Sequence, residues 1–211
     1  MPLVPHMTHQ DIVTYLRREL LPSVRGDIFP LLRTRHGAPF ATVRLVLCYC
    51  DYLGALYSGY RRRKGGRPSQ IAMSKKALRF IRDILGQIDP LYRLRGKLLY
   101  DIYRHGTVHL YAPKHYRNRK GRHLLWYIVK ARSPWSHSGI GTMHHLRITR
   151  VSPGQRSAFP VSLFRLFFDL RRAIQRFAHL ITQEQQSGGS RLRNRWVSTA
   201  NEICKPTIRR W

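Results

Sequence analysis

Leu99-Tyr100-Asp101-Ile102-Tyr103-Arg104-His105-Gly106-Thr107-Val108-His109-Leu110-Tyr111 sets an arginine, a polar residue behind it, a histidine five positions on and a tyrosine two beyond that. The run falls where a helical stripe ends. Leu91, Leu94, Leu98, Leu99 and Ile102 predict a helix opened by Asp89-Pro90, with proline at the first helical position. Gly106 and then Pro113 close it. In an ideal helix five residues turn the chain through about 500°, which parts Arg104 from His109; a left-handed cap at Gly106 lets the histidine swing back. Arginine brings a permanent charge on a planar fork that fits phosphate oxygens. Histidine takes and returns a proton near neutral pH. Together they suit RNA cleavage without a metal: the imidazole removes the 2′-OH proton or protonates the leaving 5′ oxygen, and the guanidinium stabilises the charge growing on the phosphate. The same spacing recurs at Arg132 and His137 in a loop-like stretch, so the helix-end position, not the spacing, singles out the first pair.

Outward from the motif, helical periodicity recurs. Ile12, Tyr15, Leu16, Leu20 and Leu21 predict a helix over about 8–33, with Thr8 as N-cap and breaks or kinks at Pro22 and Pro30. Phe40 to Tyr57 reads as a buried helix in which Gly54 and Ser58 permit close packing. Asp51 lies inside it, where an unpaired carboxylate is costly, so it is expected to meet an arginine. Ser74 opens a short helix that ends at Gly86. Beyond Pro113, His123 to Lys130 and Met143 to Val151 are aromatic and β-branched, and predict a β-hairpin with a long loop. A long amphipathic helix returns over about 159–183, with Phe164, Phe167, Ile174 and Phe177 on one face and Arg165, Arg172 and Arg176 on the other. The expected fold is mainly α: one helical domain over 8–186, a hairpin insertion at about 122–151, and a loose basic C-terminal tail over 187–211 that follows the linker Ser187-Gly188-Gly189-Ser190.

The charge balance narrows the function. Thirty-nine Lys and Arg stand against 10 Asp and Glu, a formal +29. Such a field selects polyanions, with nucleic acid first and an anionic membrane surface as the rival. The preference for Arg over Lys, 31 to 8, favours phosphate contact. Three cysteines give no disulfide framework and suit a reducing compartment. Residues 1–7 lack the pattern of a signal peptide, and no apolar run is expected to approach the roughly 20 residues a membrane span requires, so the expected location is the cytoplasm.

Arg104-His105-Gly106-Thr107-Val108-His109, extended through Leu110 to Tyr111, resembles the R-(polar)-x3-H signature of HEPN domains, in the longer form R-x4-H-x-Y. These are small helical bundles that include metal-independent ribonucleases of bacterial toxin, phage-defence and CRISPR-associated systems. The resemblance implies a cytoplasmic endoribonuclease with no cofactor, active as a homodimer and in some settings held by an inhibitory antitoxin or a defence-complex partner. It implies that Arg104 and His109 are catalytic, that His105 is the polar supporting residue and that Tyr111 is a supporting or modifiable group. Arg61, Arg62, Arg63, Lys64 and Arg67 in a glycine-containing basic loop, with Lys114, Arg117 and Arg119, are the expected RNA-backbone contacts, and Trp135 can stack a base. A different class remains in view: a non-catalytic, basic nucleic-acid-binding protein.

Other motifs carry less. Gly66-Arg67-Pro68 has the core of a minor-groove hook without the flanking basic residue on each side. His144 and His145 are adjacent and face opposite ways on a strand, so no metal site is expected there. Cys48 and Cys50 lie about 200° apart around a helix and read as packing residues. Trp126 and Tyr127 read as sheet-to-helix core.

Overall fold

Thr8 and Asp11 form a reciprocal cap in the computed structural model, which describes residues 6–33, 38–59, 73–105, 116–117, 121, 123–130, 144–150 and 156–204. The Asp11 N–H donates to Thr8 Oγ1 at 3.2 Å and the Thr8 N–H donates to Asp11 Oδ2 at 2.9 Å, which starts α1 (His9–Thr14). The chain runs on through a π-helical stretch (Tyr15–Leu20) into α2 (Leu21–Arg33). Next come α3 (Pro39–Ser58), α4 (Met73–Phe80), a second π-helical stretch (Ile81–Leu85) and the short α5 (Gly86–Ile88). The motif helix is α6 (Leu91–Leu99), which widens into a third π-helical stretch (Tyr100–His105). Four strands follow: β1 (Tyr116–Arg117), β2 (His123–Val129), β3 (Thr149–Arg150) and β4 (Arg156–Ser162). Helices α7 (Leu163–Gln186) and α8 (Arg191–Ile203) complete the described chain.

The fold is mainly α with a small β insertion, as its periodicities require. Helix α3 runs through the core, packed on α2, α4, α7 and α8. It is 20 residues long, and by length and composition alone it could cross a membrane; 56% of its most apolar window is buried within the fold. Tyr57, Phe80 and Phe177 meet edge to face at centroid distances of 5.6–6.2 Å, and Trp196 closes the cluster at 5.9 Å from Phe177.

Two expectations are corrected. His123 to Val129 does form a strand, but among the described residues it pairs with β1 and β4 and not with 144–150. The sheet order is β1-β2-β4-β3, with β2 parallel to β4 at the centre and two antiparallel pairs, β1 with β2 and β3 with β4, outside it. Residues 156–162 therefore belong to the sheet, and the long helix starts at Leu163 under a Ser162 cap. Nor do residues 187–204 form a loose tail; 205–211 lie outside the described residues. Glu184 accepts the N–H groups of Leu192 and Arg193, and Gly188 at φ +70° reverses the chain. That reversal returns α8 to the core, where it buries Leu192, Trp196, Thr199 and Ala200.

A buried polar chain pins the insertion to the helices. The Ser162 N–H donates to His145 Nδ1 at 3.0 Å, so the imidazole proton sits on Nε2 and points at Tyr92 Oη, 3.0 Å away. The Tyr92 hydroxyl in turn donates to Asp169 Oδ2 at 3.1 Å. Burial, helped by the charge of Arg165, lowers the His145 pKa from 6.5 to about 3. Below pH 6.5 the unfolded chain therefore holds a proton that the folded chain refuses, and stability falls with pH. Asp169, raised chiefly by burial, acts in the opposite sense at pH above its ordinary 3.8. Urea unfolding at pH 7 and pH 5 is expected to differ by about 2 kcal/mol through His145, at about 1.4 kcal/mol per pH unit. His145→Gln should remove that part of the slope while lowering stability at pH 7. An unaltered slope in the variant would disprove the assignment.

The carboxylates are spent on structure. Asp11 caps α1, Asp27 accepts from Tyr49, Asp83 pairs with Arg82, and Asp89 accepts from both Leu91 N–H and Arg165. Asp101 pairs with Lys97, and Glu184 caps α8.

Candidate active site

The four-residue spacing of Tyr100 and Arg104 decides where the motif arginine goes. Positions four apart lie on one face of the helix. Both reach Asp51 on α3. Tyr100 Oη donates to Asp51 Oδ1 at 2.5 Å, and Arg104 Nε donates to Asp51 Oδ2 at 2.8 Å. The carboxylate expected to meet an arginine thus meets the motif arginine itself. The side chain of Asp51 is 10% exposed and that of Arg104 24%, so the pair sits at the edge of the core with the guanidinium on the outer side.

The electrostatics follow. Burial opposes the Arg104 charge, but the Asp51 hydrogen bond and the neighbouring groups hold its pKa above the ordinary value. The Tyr100 hydroxyl is pushed up, first by burial and then by its bond to Asp51. Burial also raises the Cys48 thiol, against the pull of Arg104. Cys50 is fully buried and faces away from it, as the helical spacing requires. Among the described residues, Arg104 makes its only hydrogen bond through Nε. The two terminal amino groups therefore keep their N–H donors for another acceptor.

The remaining candidates are distributed unevenly. His105 is the last residue of the π-helical stretch. Arg117 is exposed on β1, at a cleft of about 220 Å³ shared with His123 and Ile148. His109, Tyr111, Arg61, Arg62, Arg63, Lys64, Arg67, Lys114, Arg119 and Trp135 lie outside the described residues. Trp126 is partly buried and packs against the helical core as expected, edge to face on Phe40 at 5.1 Å. His145 is part of the Tyr92–Asp169 chain; its partners stand 53 and 17 residues away in sequence, and no local pattern announces them.

Compared with known proteins, the chain matches no family model, no curated protein and no solved structure. Function therefore rests on the residues themselves.

Proposed function

We propose that this chain is a HEPN-like, metal-independent endoribonuclease in which Arg104 receives the scissile phosphate and His109 moves the proton. The observation that carries the reading is the station of Arg104. It sits at the end of the motif helix, anchored through Nε, with its terminal donors unclaimed among the described residues. A fork held at one corner is oriented before a phosphate arrives, which reduces the ordering cost of binding. In the reaction, the ribose 2′ oxygen attacks the adjacent phosphorus as its proton passes to the imidazole of His109, which returns it to the leaving group. The 5′ oxygen departs with a proton supplied by the imidazole, giving a cyclic phosphate and a free hydroxyl. On this reading His105 is the polar supporting residue and Tyr111, two positions after His109, a supporting or modifiable group. A homodimer, RNA as substrate and an inhibitory or defence-complex partner belong to the same reading, as does a cytoplasmic setting. The charge of +29 supports a polyanionic substrate.

The test is cleavage of labelled RNA in EDTA. Wild type should cut, and His109→Ala should be slower by at least about a hundredfold, the lower end of general acid–base effects, with RNA binding within about twofold. Cleavage that is indifferent to His109 would end the proposal.

One observation favours a second reading. Asp51 already neutralises Arg104, and a phosphate approaching the guanidinium also approaches that carboxylate. A non-catalytic RNA-binding protein needs Arg104 only as the clamp between α3 and the motif helix. In that case His109→Ala changes nothing, and wild type binds RNA with steep salt dependence but does not cut it.

A further inference from the structure

The first helical run carries a row of residues four apart: Arg17, Leu21, Arg25, Phe29 and Arg33. Steps of four keep side chains on one ridge of a helix, here over about 24 Å at 1.5 Å per residue. The ridge forms one wall of a groove of about 490 Å³ between α2 and α7, with Arg17, Arg25, Phe29 and, from α7, Arg171 among its lining. The guanidinium carbons of Arg25 and Arg33 lie 5.8 and 5.7 Å from the centre of the Phe29 ring, and that of Arg171 lies 5.8 Å from Phe167. The two rings support each other at 6.2 Å. A guanidinium laid over a ring keeps its N–H edge free for an oxygen acceptor and gives up little further freedom when one arrives. Arg171 Nε is buried with no hydrogen-bond partner among the described residues.

Charge matching sets this groove apart from a second basic cleft among the described residues. In the cleft lined by Lys75, Arg79, Arg82, Arg93 and Lys97, Asp83 engages Arg79 and Arg82, and Asp101 engages Lys97. Among the described residues, the lining of the α2–α7 groove contains no carboxylate. Asp27, on the same helix, is engaged by the Tyr49 hydroxyl at 2.5 Å. Phe168 touches Phe167 at 5.3 Å and stands 46% exposed, a face on which an unpaired base can stack.

We propose that the α2–α7 groove is a track for the phosphodiester backbone of single-stranded RNA. Arg17, Arg25 and Arg171 contact successive phosphates, and Arg33 extends the ridge. The inference rests on RNA as the substrate and adds a surface that shares no residue with the Arg104 motif.

The experiment uses the full chain, a fluorescent single-stranded RNA and a series of salt concentrations, with cleavage of the same RNA followed in EDTA. Arg17→Gln, Arg25→Gln and Arg171→Gln are combined, and Arg147→Gln, Arg150→Gln and Arg191→Gln form a charge-matched control on exposed residues outside the groove. Each phosphate contact contributes about 0.7 to the slope of log K against log salt for a single strand, so the groove variant should flatten it by about 2 and weaken binding at least tenfold; the control should stay near wild type. Unchanged thermal melting of both variants keeps the comparison fair. An equal loss in both variants, or in neither, overturns the track while leaving the nuclease reading untouched. Loss confined to the groove variant, with no cleavage by wild type, supports the track and overturns the nuclease. A wild type that ignores RNA but binds vesicles of anionic lipid overturns both.

Discussion

Replacing Trp196 with alanine is expected to cost about 3–5 kcal/mol of unfolding free energy, enough to leave a protein of ordinary stability partly unfolded. The indole is fully buried. It meets Phe177 at 5.9 Å and Tyr15 edge to face at 5.7 Å, and its Nε1 donates to the sulfur of Met7 at 3.3 Å. One side chain on α8 thus joins the segment before α1 to the π-helical stretch after it and to α7. Truncation removes that area, leaves a void that rigid neighbours cannot fill, and strips the tryptophan's contacts from all three at once. Chemical unfolding followed by circular dichroism measures the effect. A loss below about 1 kcal/mol would mean that α8 rests on the surface instead of completing the core.

The second large effect is expected at Gly54. A β-carbon there would stand 2.6 Å from the carbonyl carbon and oxygen of Lys76 and 2.7 Å from the nitrogen of Ala77. These are backbone atoms of α4, so no rotamer change relieves the clash, and two helices must part. Gly54→Ala should therefore cost about 3 kcal/mol, at the upper end for overpacking, although alanine is the better helix former by about 1 kcal/mol. Gly26 offers the contrast. It also lies within a helix, but its β-carbon would meet nothing within 4 Å, so Gly26→Ala should be neutral or stabilising. The same unfolding measurement compares the two, and equal effects would refute close packing of α3 on α4 as the cause.

Much of the helical body was legible because long apolar stripes leave few alternatives. Leu91 to Ile102 and Leu163 to Ile181 repeat with the helical period, and Gly54 stood out as a contact point. Asp51 demanded an arginine, though nothing in the sequence identified it as Arg104. The sheet was harder to read. Residues 156–162 contain Pro160, which argues against a central strand. Its carbonyl accepts from the Leu146 N–H at 2.8 Å. The N–H and C=O of one strand residue point the same way, so the missing donor faces the 144–147 turn and costs the β2–β4 ladder nothing. Two glycines between serines likewise suggested a flexible linker, whereas they make a sharp reversal fixed by Glu184. The signal that α8 exists was present in Leu192, Trp196 and Ala200, each four residues from the next. The arginine ridge was visible too, as a cation at every eighth position of the first helix, but against 31 arginines it did not stand out.

Because the acidic side chains serve as caps, clamps and hydroxyl acceptors, few are left to oppose the cations that face the solvent. The molecule resembles a folded polycation more than a mosaic of both signs. Condensed counter-anions must accompany it through any aqueous compartment, and whatever displaces them gains the entropy of their release. Encounter with a long anionic chain then needs no prior recognition, and selectivity falls to the few sites where geometry, not charge, is scarce.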